Sequence, residues 1–560
     1  MSLTAAIPAR QRRKPRLDGW VGVTIGLFVL FGGFLVYPLW TVLRESVVDP
    51  ATGGFTWNYF TTFFSKTYYA NTIRNSFLIS LSVTAVSLII GIPFSYFYTF
   101  FKLRGARFLF IGSVLSCMSA PFIGAYAWVL LLGRNGLVTR AFGAIGIHLG
   151  SIYGFGGIVF VLSLKLFPLV SVYMNGAFKS IDTSLLEASA LMGSTGLRRI
   201  RQVIIRLTMP TVLAASLLVF MRAFADFGTP LLIGEGYRTF TVEIYNQYLG
   251  ETGTNHNFAA AVGIIGILVT AAIFLVQKFA TSRFNFTIKA SRPPEKRRPR
   301  GLGGTLIYLY QYALVGVAFL PQLYIIYLSF RRNNQAIFLP GFSLDSYKVA
   351  AGRLLGRSIL NTLYFGAVAL TVIIVISVLI AYLVVRRSNV ANNVIDTVSM
   401  MPYIMPGAVI GIGLVVAFNR PPLAITGTAL IMIIALVIRR MPYTIRSATA
   451  TLMHLPISTE EAARSLGASK FKTFWRITVP MMSAGITSGA ILSFVSIVTE
   501  MSSAVILYNN KNITLTMSAY VAITRGSYGL ACAFASILTV LTGVILLAYL
   551  LIARDEDLKM

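Results

Sequence analysis

Four ionisable side chains stand out as candidates for deep burial within the long apolar runs of this chain: Lys165, Arg222, Asp226 and Glu500. Charge in hydrocarbon is costly, so such residues mark ion pairs, proton relays or substrate paths. Arg222 and Asp226 stand four apart, the spacing at which two side chains meet on one helix face, and this predicts that they neutralise each other. Lys165 and Arg439 each precede a proline, Pro168 and Pro442, by three residues. They are expected near the cytoplasmic boundary, where long side chains reach out to water. The remaining chemistry is thin. His148, His256 and His454 occur singly, and Cys117 and Cys532 each sit in an apolar run, so neither a metal site nor a disulfide framework is indicated. A P-loop needs G-x-x-x-x-G-K-[ST], and none of the 13 lysines follows a glycine, so ATP hydrolysis by that route is not expected.

The elements that must hold these groups are membrane helices. Of the 560 residues 56% are hydrophobic and only 12% charged, against about 25% charged in soluble domains. About 20 apolar residues cross the hydrocarbon core. Such runs lie near 20–43, 72–100, 108–132, 152–174, 208–234 and 258–280, then near 305–330, 358–385, 394–418, 424–445, 481–507 and 530–553. The fold class expected is an all-α integral membrane protein of about 12 transmembrane helices. The first run is long for a cleaved signal and reads as a permanent helix. The net charge of +30 would suggest nucleic acid in a soluble protein. With the N-terminus in the cytoplasm and the spans alternating, 32 of the 48 Lys and Arg residues fall in cytoplasmic segments, as the positive-inside rule demands. Both termini are then cytoplasmic. The segment 281–304, with its KRRPR run, reads as a linker beside anionic headgroups rather than as a nucleic-acid signal.

This linker divides the helices six and six, and the halves resemble each other. Asn75-Ser76 resembles Asn361-Thr362, and SAPFIGA at 119–125 resembles MMPYIMPGA at 400–408. Pro168, Glu187 and Asp226 recur as Pro442, Glu461 and Glu500 at a constant offset of 274. The expected organisation is an N-tail (1–19), a first module (20–280) with a cytoplasmic loop at 175–206, the linker (281–304), a second module (305–553) with a loop at 446–480, and a C-tail (554–560). The two loops read SLLEASALMGST (184–195) and STEEAARSLGAS (458–469). Ser184 with Glu187, and Ser458 with Glu461, fit a capping box. Gly193 and Gly467 suit a left-handed helix stop. Each loop is therefore expected to form a helix of about two turns. Its small residues (Ala188, Ser189, Ala462, Ala463) would keep one side thin for the approach of another backbone. The basic flanks (Arg198, Arg199, Arg201; Lys470, Lys472, Arg476) suit either a partner protein or lipid headgroups, and both readings stay open.

The second loop, EAARSLGASKFKTFWRITVP, resembles the EAA signature of permease subunits of binding-protein-dependent ABC importers, at Glu461, Ala462, Ala463, Gly467, Ile477 and Pro480. The first matches at Glu187, Ala188 and Gly193, with Ser189 in place of the second alanine. Arg206 takes the slot of Pro480, and Pro210 follows one turn later, so the entry into the fifth helix is expected to bend at different levels in the two halves. Fused two-module permeases are most like those for ferric iron; thiamine, phosphonate and sugar-phosphate systems share the plan. The resemblance implies the type I importer fold and two loops acting as coupling helices. Two copies of a separate ABC ATPase would use ATP and Mg, this chain binding no cofactor. A soluble periplasmic or extracellular binding protein would deliver the cargo at the bacterial inner membrane. An ion-coupled secondary transporter is the rival class. For Asp226 and Glu500 two roles are open: two acids facing a central path would attract a cation such as ferric iron, or they hold the helix end against its neighbours.

Overall fold

The computed structural model describes residues 19–118, 121–148, 150–194, 196–250, 255–283, 296–335 and 337–557. The basic N-tail and most of the linker lie outside the described residues. The first half contains α1 (Gly19–Ser46), α2 (Thr67–Phe100), α3 (Ala106–Met118), α4 (Pro121–Leu132), α5 (Phe155–Lys179), α6 (Thr183–Leu191), α7 (Ile200–Phe224), α8 (Phe240–Leu249) and α9 (His256–Arg283). The second contains α10 (Gly301–Ser329), α11 (Leu355–Arg386), α12 (Val390–Ile404), α13 (Gly407–Phe418), α14 (Ala429–His454), α15 (Ser458–Ser465), α16 (Lys470–Met481), α17 (Ser483–Val498), α18 (Leu515–Thr524) and α19 (Tyr528–Asp557).

Among the described residues nine helices are long and apolar enough to cross a membrane, and two bent pairs raise the number to eleven. The remaining expected span is α14, 26 residues long but interrupted by Arg439, Arg440 and Arg446. The expected spans at 394–418 and 481–507 are not single rods. α12 and α13 meet at 110°, and α16 and α17 at 69°. Proline explains the first break, because it removes an N–H and pushes the residue before it out of the helical region: Pro406 stands in the α12–α13 joint, with Met405 extended before it. The second break falls at Met482, two residues after Pro480. The MMPYIMPGA segment is thus where the third span of the second half is interrupted; in the first half residues 119 and 120 of SAPFIGA lie outside the described residues. The expected asymmetry of the fifth helix is found as a difference in kind. α7 runs through Pro210 as one helix, whereas the second half breaks after Pro480.

Each half packs its second helix against its fourth, α2 on α5 and α11 on α14. In lipid such contacts rest on close approach by small residues rather than on a hydrophobic gradient. Gly91 is one: a Cβ there would come within 2.7 Å of Val170 Cβ. Alongside, Ser95 Oγ donates to Ser171 O at 3.0 Å.

The first helix of each half is exchanged. α1 packs on α13, α12 and α11 of the second half, as well as on its own α9. Trp20 fits between Tyr382 and Phe474, ring centroids 4.5 and 4.9 Å away, and Thr24 donates to Asn392. Reciprocally, α10 lies on α3 and α4. Buried Gln311 donates to Phe94 O at 2.8 Å, Tyr310 to Ile90 O at 2.7 Å, and Tyr312 to Arg104 O at 2.7 Å. One continuous apolar core therefore includes Trp20, Phe122 and Phe240 together with Tyr382, Met441 and Phe474. The end of the linker also packs back: Arg297 exchanges backbone hydrogen bonds with Phe100 and Lys102, and Gly301, at φ +60°, opens α10.

Candidate functional site: paired short helices and a charged middle layer

The short helices α6 and α15 follow the fourth long helix of each half, at the same offset of 274. Both end in the same way. Gly193 and Gly467 have φ of +79° and +87°. Ser194 N donates to Ser189 O and Gly193 N to Ala190 O; Ala468 N donates to Ala463 O and Gly467 N to Arg464 O. These are the two bonds of a Schellman stop, and the glycine is required because it alone adopts left-handed dihedrals without cost. The starts differ from expectation, since neither serine caps. In α6 the extended residue Asp182 is the N-cap, its carboxylate accepting from Ser184 N at 3.0 Å. In α15, Ile457 already has helical dihedrals, so Ser458 lies inside the first turn and makes no cap.

The small residues also divide. Ser189 and Ala463 face inward and are buried, whereas Ala188 and Ala462 are exposed beside exposed Glu187 and Glu461. At the tips Met192 and Leu466, equivalent by the offset, are 81% and 89% exposed. In each half an apolar knob thus stands exposed beside a carboxylate on a two-turn helix. Two further residues were not legible in the sequence. Glu460, next to the expected Glu461, is buried and pairs with Arg386 at 2.9 Å, while Arg386 also donates to Leu455 O. Leu186 stands in the equivalent place in α6, so this ion pair has no counterpart at the matching position of the first half. Each short helix is followed by a five-residue π turn, Ile200–Ile204 and Phe474–Thr478, again 274 apart. π turns mark functional points in helices, and buried Phe474 is the ring on which Trp20 of the exchanged helix rests. Pro480 lies beyond this turn, exposed beside Trp475 and Val479 and two residues before the bend into α17, away from the exposed face of α15.

The membrane charges are arranged differently from the expected pattern. Asp226 does not pair with Arg222. It lies past the end of α7, which stops at Phe224, and receives Lys165 Nζ at 3.0 Å. Glu500 repeats this, receiving Arg439 at 2.9 Å and also Arg440. Each carboxylate also accepts a backbone N–H at the start of the next short helix, Gly228–Ile233 or Ala504–Leu507: Thr229 N donates to Asp226 at 2.9 Å, and Ser503 N to Glu500 at 3.1 Å. Lys165 and Arg439 are not at a boundary. Lys165 is 14 residues from the end of α5, about 21 Å at 1.5 Å per residue, and so lies in the middle of the span. Arg222 reaches across to the other half, donating to Tyr443 with its guanidinium 5.3 Å from that ring's centre.

At the end opposite the short helices the halves meet again. Asn75 donates to Arg238 O and Ser76 accepts from Phe240 N, at the start of α8; Asn361 and Thr362 do the same for Ile513 O and Leu515 N at the start of α18. So held, α8 and α18 bring the hydroxyls of Tyr245 and Tyr520 within 3.2 Å across the seam.

Residues 91–286 and 373–554 each match the family described as binding-protein-dependent transport system inner membrane component. The chain belongs to that family. It is a multi-pass membrane permease of two modules, one match falling in each half, and this membership replaces the ion-coupled alternative. A ferric transport system permease protein FbpB from Actinobacillus pleuropneumoniae is 30% identical over 96% of this chain and 78% of its own length. A second such protein, from Haemophilus influenzae, is 30% identical over 86% and 77%. A 2-aminoethylphosphonate transport system permease, PhnU from Salmonella typhi, is 26% identical over 38% of this chain and 75% of its own.

Proposed function

We propose that this permease forms the translocation path of an ATP-driven importer for ferric iron, in the bacterial inner membrane with both termini in the cytoplasm. A periplasmic binding protein presents the cargo at the Tyr245–Tyr520 face. Two copies of a separate ATPase dock on α6 and α15, and ATP with Mg is used there and not in this chain. The observation that carries this reading is the pair of short helices at the same offset, with the same glycine stop and the same exposed face of Glu187 and Met192, Glu461 and Leu466. Nucleotide-driven closure of the ATPase pair would draw the two helices together, and the π turns and fifth helices would pass that motion to the seam, a rigid-body switch between two states. The alternating states expose the path first to the binding protein and then to the cytoplasm.

Iron as cargo rests on the two relatives that align along most of the chain. The partial match to a phosphonate permease supports the second reading, an organophosphorus cargo. Co-purification of the permease with its ATPase tests the docking role. Replacing both Glu187 and Glu461 by alanine should abolish association; an undiminished complex with full ATP-driven uptake counts against the assignment. Uptake of radioactive ferric iron or of 2-aminoethylphosphonate by vesicles holding the whole transporter separates the two cargoes.

A further inference from the structure

The duplicated scaffold repeats its functional groups: Lys165 and Arg439, Asp226 and Glu500, Asn75-Ser76 and Asn361-Thr362, Gly193 and Gly467. One cluster in the middle layer is not repeated. Arg222 corresponds to Ser496, Tyr443 to Leu169, and Tyr403 to Phe122 in the matched PF/PY motif. These three single-copy residues converge. Arg222 donates to the Tyr443 hydroxyl and lies over its ring, and the Tyr403 ring stands edge-on to Tyr443 at 5.7 Å and 78°. They come from both halves, α7 on one side and α12 and α14 on the other. Tyr403 is the penultimate residue of α12, directly before the 110° break. Arg222 lies one turn before Asp226 and Tyr443 one turn after Arg439, so the cluster sits next to the two mid-span ion pairs. In secondary transporters, broken helices at a repeat interface near the midplane hold the cargo, and the same arrangement of a broken helix at a repeat seam is present here.

Charge gives the cluster its chemistry. Lys165 and Arg439 each have a carboxylate within 3.0 Å. Arg222 has none among the described residues, and its Nε has no hydrogen-bond partner there. A guanidinium held in a span without a counter-charge is completed by an anion, and its planar fork of donors matches the oxygens of a phosphate, phosphonate or carboxylate. Tyrosine hydroxyls add neutral donors to the same oxygens. A bare ferric cation would instead be repelled. Among the described residues, moreover, no group of three His, Cys, Asp or Glu side chains is placed to hold a metal ion.

We propose that Arg222, Tyr403 and Tyr443 bind an oxyanion group of the cargo at the seam, so that iron crosses as an oxyanion-bound complex and not as a free cation. The iron part rests on the cargo reading above; the oxyanion part does not. The test uses the whole transporter in vesicles, with its ATPase and binding protein, supplied with ferric iron and radioactive phosphate, or with ferric iron and radioactive citrate. In the unaltered protein one labelled anion should accumulate with iron in a fixed ratio. Arg222→Gln should lower uptake of both at least tenfold at equal permease abundance, Arg222→Lys should retain part of it, and Tyr443→Phe should raise the half-saturating cargo concentration. Iron entry with neither label, or Arg222→Gln uptake at the unaltered rate, overturns the proposal. If Arg222→Gln does not assemble, the label ratio in the unaltered protein and the Tyr443→Phe shift still decide. Should the unaltered transporter import no iron but import 2-aminoethylphosphonate in an Arg222-dependent way, the cargo reading fails and the oxyanion site stands.

Discussion

The two mid-span ion pairs allow the scaffold role of Asp226 and Glu500 to be separated from a path role. Lys165 and Asp226 are 15% and 6% exposed, so removing one partner leaves the other charge in a nearly closed, low-dielectric place. That costs about 3–5 kcal/mol, whereas replacing both partners by neutral groups of similar size is often close to neutral. Asp226→Asn is the informative single change, because asparagine caps as well as aspartate and preserves the Thr229 bond while removing the charge. We expect Asp226→Asn to destabilise the permease by about 3–5 kcal/mol and Lys165→Met/Asp226→Asn to recover most of that loss. Glu500 should behave differently. It holds two guanidiniums, Arg439 and Arg440, at 1% exposure. Arg439→Met/Glu500→Gln therefore still leaves Arg440 unpaired, and rescue should be incomplete. Detergent-exchange unfolding of the purified permease measures each step, and uptake in vesicles is measured on the rescued double variant. If Asp226→Asn is as stable as the unaltered chain, or Lys165→Met fails to rescue it, the scaffold argument is wrong. A stable Lys165→Met/Asp226→Asn protein with uptake lowered tenfold or more returns Asp226 to the path.

Two further outcomes follow from the seam and the short helices. No atom lies within 4 Å of a Cβ built on Gly193 or Gly467, so Gly→Ala at either site costs only left-handed strain, about 1–2 kcal/mol; ATPase binding to the solubilised permease should weaken about 5- to 30-fold on that energy, and Gly→Asn should weaken it less. With the Tyr245 and Tyr520 hydroxyls 3.2 Å apart, Tyr245→Cys/Tyr520→Cys should be joined by a short bifunctional thiol reagent and import should stop until the link is reduced; import that continues through the cross-linked protein means that α8 and α18 do not open the path.

The duplication and the glycine stops were readable because each rests on local residue chemistry that recurs at an offset of 274; Asn75-Ser76 and Asn361-Thr362 showed only a likeness, and what they hold comes from the structure. Readings failed where an element's end decided the geometry. The Arg222–Asp226 spacing assumes a continuous helix, but α7 ends at Phe224, which frees Asp226 to turn back and cap the next helix. The capping boxes failed for the same reason, with Asp182 and Ile457 starting the helices one or two residues before the serines. Lys165 is expected near the boundary from its place three residues before Pro168, but α5 continues to Lys179, 14 residues beyond it, which leaves the lysine well inside the helix. The exchange of α1 and α10 has no signal in hydropathy at all, since every span is apolar and its neighbours are chosen by shape. Trp20 carries that choice, but only its aromatic partners from the other half, Tyr382 and Phe474, reveal it.

Duplication itself separates machinery from specificity in this chain. Two copies of one ATPase would need two equivalent docking points, and the parts between docking point and seam are indeed paired: glycine stop, π turn, fifth helix, capping carboxylate. A cargo on the seam has no twofold symmetry to respect, so the residues that recognise it are free to differ between halves. Unpaired residues then sort by position. Arg386–Glu460 and the bend after Pro480 lie beside α15; with an ATPase docked there, they would make the second half respond differently to the same push. Arg222, Tyr403 and Tyr443 lie on the seam itself, where a difference between halves acts on what passes and not on what drives it. A permease of this family with another cargo should therefore keep the 274-residue pairs and change the seam cluster.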